Sequence, residues 1–348
     1  MTALARAGVD AGAIVQDRAA HRLPPTVAPV IRPTSAGARR ALHGLLPAPD
    51  CEVVHALDVD LPYRTGRRRV VTVHDLAVFD VPDTMSSVRA AAERRLVASS
   101  LRRAHRVIAV SSFTASRVAE RFGVGCDVVP LAARPGLTAA TGADVAEIRR
   151  RHDLPARFVL HLGTVEPRKS LGDLATACRR VGVPLVLAGA RWSDAPTDGD
   201  VRALGFVPDD DVVELLGACA LLAVSSRYEG FCLPAVEAMA LGVPVVATRV
   251  GALGDLVPTA GLVAPGDVTG LADAIGELLA DDEARARHGE AGRQVAGRRS
   301  WDDVAAETIV SYRRAGARLR LRPHPDVAVA PAAGVAATVA DVPGAAAT

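Results

Sequence analysis

The chain has 348 residues, 49% of them hydrophobic, with 41 Lys and Arg against 39 Asp and Glu for a net charge of +2. That length exceeds one ordinary core and favours two domains, while the near-neutral charge argues against a dedicated nucleic-acid binder. No apolar run reaches the ~18 residues of a membrane span, and MTALARAGVD lacks the charged start and apolar core of a secretion signal.

Short apolar runs alternate with longer amphipathic stretches, the pattern of β-α units around parallel sheets. In the first half, strands are predicted near Cys51–His55, Arg69–Val73, Arg106–Val110 and Asp127–Pro130, with helices that include Ser86–Arg103 and Thr114–Phe122. Arg134 to Pro155, with a helical pattern at Asp144–Arg151, reads as the junction between domains. A second set follows: strands at Phe158–Leu162, Pro184–Ala188, Val201–Leu204, Leu221–Val224 and Val245–Thr248. Its helices are Ser170–Val181, Asp209–Ala218, Pro234–Ala240, Thr269–Leu279 and Asp302–Arg314. The expected layout is a doubly wound α/β first domain over 1–135, a linker over 136–156 and a second α/β domain over 157–300. A helix over 301–318 and a low-complexity, disordered tail over 319–348 complete it.

In such sheets ligands bind beyond the carboxyl ends of the strands, and three loops there carry chemistry. The first is SSRYEGFCLPAVEAMALGVPVVA, residues 225 to 247. Glu229 and Glu237 stand eight positions apart, about 80° apart on one continuous helix, so they would not share a face. The spacing suits Glu229 on a loop and Glu237 in the first turn of a helix that Pro234 opens. Amides from Gly230 through Phe231 and Cys232 to Leu233 would then lack helical partners and form an anion site. Two hydroxyl-accepting carboxylates beside it suggest a phosphorylated sugar or a nucleotide. The plainer reading, glutamates favoured near a helix start by the dipole, stays open.

The second loop lies in HLGTVEPRKSL, residues 161 to 171, where a strand ends at Gly163 and a Glu-Pro-Arg-Lys turn opens a helix. Arg168 can grip phosphate oxygens in bidentate fashion and Lys169 adds a compact charge; a solvated loop pair is the alternative. Lys169 is the one lysine in a chain that uses arginine everywhere else and contains no asparagine, a bias that suggests a GC-rich bacterial gene. The third loop follows the strand in VVTVHDLAVFDVP, placing His74 and Asp75 at its carboxyl end. A histidine there can hydrogen-bond a substrate or shuttle a proton near neutral pH. His55 reads as structural or secondary, and His161 as core. The cysteines, Cys51, Cys126, Cys178, Cys219 and Cys232, form no CxxC pair. They supply neither a disulfide framework nor a zinc site and suit a reducing cytoplasm.

Together these stretches resemble the retaining glycosyltransferases of family 4 (GT4), built on the two-domain GT-B fold. YEGFCLPAVEAMALGVPVVAT is similar to the family's E-x7-E region and GTVEPRKSL to its Arg/Lys loop. TVHDL, AHRVIAVSSFT and VVPLAARPGL resemble its first-domain pattern, and SWDDVAAETIVSYRRA the terminal helix that crosses back to the first domain. The likeness runs from about Cys51 to Arg314. It implies transfer of a sugar from a nucleoside diphosphate sugar, GDP-mannose or a UDP-sugar, to a glycan or lipid-linked acceptor, with the anomeric configuration kept and neither metal nor cofactor. Glu237 would hold the ribose hydroxyls. Arg168, Lys169 and the amides from Gly230 to Leu233 would hold the diphosphate, with Gly163 nearby. Glu229 would contact the donor sugar, and His74 would approach the reaction centre from the other domain. The implied setting is the cytoplasm or the inner face of the cell membrane.

Two departures and one competing signal qualify the resemblance. MTALARAGVDAGAIV reads like the end of the family's first helix followed by its second strand, so the first β-α unit is expected to be missing, through a mis-assigned start or native shortening. That would weaken acceptor binding more than donor binding. Cys232 stands where the family usually has glycine; a small turn residue is the expected reading, with a lowered thiol pKa near Arg168 and Lys169 as the alternative. Asp58-Val59-Asp60 matches the metal-binding D-x-D of another glycosyltransferase fold, which nothing else supports. The helix near Val88–Arg106 carries Arg89, Arg94, Arg95, Arg102, Arg103 and Arg106, with Arg64 and Arg67–Arg69 close by. It reads equally as a solvated face or as a contact for anionic lipid. A catalytically silent partner subunit and a sugar-nucleotide epimerase are the competing functions.

Overall fold

The computed structural model describes residues 1–16, 23, 25, 27–32, 50–59, 61–63, 67–190, 193–196 and 199–319. The expected tail, apart from Leu319, lies outside these residues, as do Arg64 and Asp60.

The strands group into three parallel sheets. β1 (Gly12–Gln16) pairs with β2 (Ala28–Arg32), following a helix over Thr2–Arg6. β3 (Val53–Ala56), β4 (Arg68–Val73), β5 (Arg106–Ala109) and β6 (Asp127–Val128) form a four-stranded sheet in sequence order. The second domain has six strands: β7 (Val159–Leu162), β8 (Leu185–Ala188), β9 (Val201–Gly205), β10 (Leu221–Val224), β11 (Val245–Thr248) and β12 (Leu262–Val263). Their spatial order is β12-β11-β10-β7-β8-β9, a doubly wound sheet that reverses direction between β7 and β10. Such a switch point opens a crevice at the carboxyl ends of the two central strands.

Helices on both faces bury the central strands from both sides, and such strands must be apolar throughout. LVLA, LLAV and VVAT at β8, β10 and β11 are accordingly buried at every position, whereas the edge strand β9 (VRALG) is only half-buried. The helix Leu171–Arg180 covers one face with Leu171, Leu174 and Cys178. Leu233–Ala240 covers the other with Ala235, Val236 and Met239.

The helix Trp301–Arg314 follows the second domain but packs on the first. Val304, Ile309 and Tyr312 share a core with Val70, Ile108, Val129 and Leu4. Ser300 and Asp303 close its start as a reciprocal capping box. Arg314 donates to Asp127 at 2.6 Å, and Tyr312 meets His55 Nδ1 at 2.9 Å. His55 also meets Thr72 at 2.8 Å, and burial, then the nearby His74, lower its pKa to about 4. It is a neutral structural tie.

One expectation needs correction and one pair of alternatives is narrowed. The linker over 136–156 is a connection only as far as Thr141, because the helix Gly142–Arg151 belongs to the second domain. Ile148 is buried in that domain's core, Arg149 donates to the Ala218 carbonyl at 2.6 Å and Arg151 to Asp211 at 2.8 Å. The basic side of the first domain is also largely taken up. In the helix Ser87–Arg103, Arg94 donates to the Val78 carbonyl, and Arg103 to the Leu61 and Pro62 carbonyls with its guanidinium over the Tyr63 ring. Arg106 pairs with Asp127, Arg67 with Asp50 and Arg89 with Glu93, leaving Arg68, Arg95 and Arg102 as its exposed cations without a pairing among the described residues. Among the described residues no helix is long and apolar enough to cross a membrane.

Candidate active site

The loops after β7 and β10 meet at the switch point and are tied by their own backbones. The Arg227 amide donates to the Arg168 carbonyl at 2.8 Å and the Ser225 hydroxyl to the Lys169 carbonyl at 2.7 Å. Gly163 ends β7 at φ +147, a conformation that favours glycine, and a side chain at Gly189 opposite would overlap its carbonyl. Held this way, Lys169 Nζ lies 2.6 Å from Glu229 Oε1, with both side chains buried. Ser226 donates to the same oxygen at 2.6 Å, and Arg168 lies 3.6 Å from Oε2. Burial alone would raise the Glu229 pKa. The charges of Lys169 and Arg168 and the two hydrogen bonds outweigh it and hold the carboxyl below its usual range.

Arg168 is braced on two further sides, by Glu166 at 2.9 Å and by the Tyr228 carbonyl at 3.1 Å. Four charges, two of each sign, therefore balance around these loops. The amides of Gly230, Phe231, Cys232 and Leu233 do not share this pairing. None of them donates to an acceptor among the described residues, and they lead into the helix Leu233–Ala240. Unpartnered amides at a helix N-terminus are placed to receive an anion. The Phe231 ring is buried in the core, so only its backbone is available to a ligand. Leu233 is exposed.

Cys232 adopts φ +82, the left-handed region, as it turns the chain into the helix. Burial, then the Glu229 charge, push its thiol pKa up to about 12 despite Lys169 and Arg168. That direction is opposite to the one an activated thiolate needs, because desolvation outweighs the nearby cations.

Glu237 is not brought to Glu229. It is the fifth residue of Leu233–Ala240, one residue further in than the sequence suggested because the helix opens at Leu233, and Arg134 faces it there, Nε 3.0 Å from Oε1 and Nη2 3.4 Å from Oε2. Burial, the larger influence, raises the Glu237 pKa against the pull of Arg134. The sequence flagged neither Arg134, Glu166, Ser226 nor Tyr228. Glu166 carried a signal, since it stands in the same Glu-Pro-Arg-Lys turn.

The first domain closes on this loop. Tyr228 reaches across so that its hydroxyl accepts from the Leu76 amide at 3.3 Å, and Arg227 pairs with Asp83 at 3.0 Å. Gly230 lies against the His74 carbonyl with no room for a Cβ, and the Ser111 hydroxyl donates to the Gly230 carbonyl at 2.7 Å. The exposed His74 ring is steadied through Nε2 by the Leu57 carbonyl at 2.8 Å. Among the described residues no group of three or more His, Cys, Asp or Glu side chains is arranged to hold a metal ion.

Two parallel α/β units with a loop seam at the switch point define the GT-B class of glycosyltransferase. The model for "Glycosyltransferase Family 4" matches residues 3–132 and that for "Glycosyl transferases group 1" residues 144–295. O-antigen chain mannosyltransferase B of Escherichia coli is 32% identical over 282 residues, 75% of this chain and 74% of that one. The MMP alpha-(1->4)-mannosyltransferase of Mycolicibacterium hassiacum is 32% identical over 61% of this chain and 55% of its own. Among solved structures, sucrose-phosphate synthase from Thermosynechococcus elongatus superposes with a TM-score of 0.63 at 25% identity, covering 76% and 73% of the two chains. Anabaena HepE in complex with UDP and glucose superposes at 0.65 and 21%, covering 82% and 87%, a likeness of fold. The chain belongs to the family 4 glycosyltransferases.

Proposed function

We propose that the protein moves a hexose, mannose by analogy with the two curated relatives, from a nucleoside diphosphate sugar to a hydroxyl of a glycan or lipid-linked acceptor. The configuration at the anomeric carbon is retained. The observation that carries this reading is the convergence, at one switch point, of the Lys169–Glu229 pair with a run of unpartnered amides. The amides from Gly230 to Leu233, with Arg168 and Lys169, receive the diphosphate and stabilise the charge that grows as it leaves. No metal or cofactor takes part. Glu229 accepts from hydroxyls of the donor sugar, Glu237 from the ribose, and Gly163 leaves room for the donor beside β7. His74 contributes its ring from the first domain, beside the sugar. The setting is the cytoplasm, and the many arginines already held by carbonyls and carboxylates leave little to favour an anionic membrane contact.

Calorimetry with UDP-, GDP- and ADP-sugars, wild type beside Glu237→Ala and Lys169→Ala, tests the donor site. Tight binding of one nucleotide, weakened in both variants, is expected; no binding to any would end the reading. Product NMR then reports the anomer, and an inverted product would remove the retaining step. Binding without turnover on any glycan or lipid-linked hydroxyl would instead favour the silent-subunit function.

A further inference from the structure

The residue opposite Glu237 comes from an unexpected place. Arg134 lies neither on the second domain's sheet nor on a helix, but on the connection between β6 and the helix Gly142–Arg151. There it leaves the first domain and passes the start of Leu233–Ala240. Its guanidinium bridges two helices, reaching Glu237 one turn into Leu233–Ala240 and donating to the Asp209 carbonyl at 3.2 Å at the start of Asp209–Ala218. The Glu237 side chain is 13% exposed and that of Arg134 34%.

We infer that Arg134 is a positioning residue for nucleotide binding, holding the Glu237 carboxylate ionised and turned so that both oxygens are presented to the vicinal hydroxyls of a ribose. The inference rests on the donor reading above. A carboxylate has about four acceptor sites on its two oxygens, so a guanidinium facing both leaves each one able to accept a hydroxyl. Burial acts the other way, favouring the neutral acid, which would lose acceptor capacity. The charged groups acting on Glu237 are few. Arg134 on the connection favours ionisation and Asp209 at the start of Asp209–Ala218 opposes it. The helix Leu233–Ala240 carries no other charge, and Arg293 packs at its far end, against Gly242. Arg134 is thus the one described cation countering burial. Because it sits on the interdomain connection, the same contact makes ribose recognition sensitive to how that connection runs.

Two measurements on Arg134→Met and Arg134→Lys separate this inference from the reading beneath it. In the nucleotide-free protein, the carboxyl resonance of Glu237, assigned with Glu237→Gln, is titrated by 13C NMR. It should titrate at higher pH in Arg134→Met and be restored towards wild type in Arg134→Lys. An unchanged midpoint in Arg134→Met would overturn the inference whatever the ligand proves to be. Calorimetry then uses UDP, GDP and ADP beside their 2′,3′-dideoxy counterparts. Arg134→Met should weaken the bound ribonucleotide about tenfold, more at pH 6 than at pH 8, and leave the dideoxy form unaffected. Tighter ribonucleotide binding would instead make Arg134 a competitor for Glu237, refuting the positioning role. Should Glu237→Gln discriminate between ribo and dideoxy forms as wild type does, the ribose reading itself fails.

Discussion

Removing the ammonium at Lys169 should produce a stability defect whose pH dependence identifies its cause. In Lys169→Met the stem volume is kept and the charge is lost, leaving Glu229, 5% exposed, with Ser226 and the more distant Arg168. Breaking a buried ion pair from one side costs roughly 3–5 kcal/mol, and Arg168 at 3.6 Å points to the lower end. For the second domain, about 3 kcal/mol corresponds to a fall in Tm of roughly 6–12 °C. In the wild type, the Glu229 pKa is depressed, so its contribution is present above the unfolded value near 4.3 and is lost as pH falls through the folded pKa. In Lys169→Met, burial prevails and raises it, so the penalty is largest near pH 7 and shrinks as acid protonates Glu229. Calorimetric scans at pH 7 and pH 5 of wild type, Lys169→Met, Glu229→Gln and the double variant check this. The double variant should recover most of the loss. A Lys169→Met defect that is equal at both pH values, or grows in acid, would refute the reasoning.

Three further outcomes follow from single contacts. Cys232→Gly should stabilise the fold by about 0.5–1 kcal/mol. Relief of roughly 1–2 kcal/mol at a left-handed φ exceeds the extra unfolded-state freedom of glycine, roughly 0.5–1 kcal/mol; a denaturant melt measures it, and Cys232 in the native wild type should resist alkylation near neutral pH. Gly230→Ala would drive a methyl into the His74 carbonyl and displace the loop. Initial rates should fall about a hundredfold, as for a misplacement of about 1 Å, with little change in Tm. Asp127→Asn removes the carboxylate that Arg106 and Arg314 share. It should cost about 1–2 kcal/mol at pH 7, discounted from the buried-pair range because both arginines are partly exposed. Burial would raise the Asp127 pKa, but the two arginines and Ser311 hold it down, so the difference from wild type should vanish as pH falls through that depressed value. Paired melts at pH 7 and pH 3 report it.

The second domain was legible because its central strands are covered on both sides. LLAV and VVAT are then unbroken apolar runs between turn residues, and their bounds agree with the sequence reading to the residue. The helix Asp282–Ala296 escaped for the converse reason. It packs through small residues, with Gly289 against the Gly242 carbonyl and Gly292 against Met239, so no stripe of large apolar residues marks its face. Strand β2 (APVIR) is a five-residue run with a proline, too short to declare itself. At the site, Glu229 and Lys169 could each be placed at a strand's carboxyl end. Their pairing depends on β7 and β10 being neighbours, which only the sheet order supplies. The same holds for Arg134. Its partner lies on another element, and nothing around ARPG speaks of Glu237. The basic helix stayed ambiguous because an arginine looks the same in sequence whether it faces solvent, as Arg95 does, or caps a carbonyl, as Arg94 and Arg103 do.

That charge balance also bears on how the site would take an anion. Arg168 and Lys169 look like the phosphate clamp in sequence, yet each faces a carboxylate, Glu166 or Glu229. A diphosphate arriving there meets no net excess of side-chain charge. The donors still open are the amides between Gly230 and Leu233, with the positive end of the Leu233–Ala240 dipole behind them. On the proposed reading, those amides receive the resting diphosphate. The two cations matter more as the leaving group gains charge and draws them away from their carboxylates. Interactions that strengthen only in that direction lower the barrier and not the ground state. Lys169→Met should therefore reduce kcat by a larger factor than it raises the donor KM, while Glu237→Ala should act mainly on KM. Initial-rate kinetics over a range of donor concentrations separate the two, and a Lys169→Met defect confined to KM would show that the amides and the cations act together on the bound ground state.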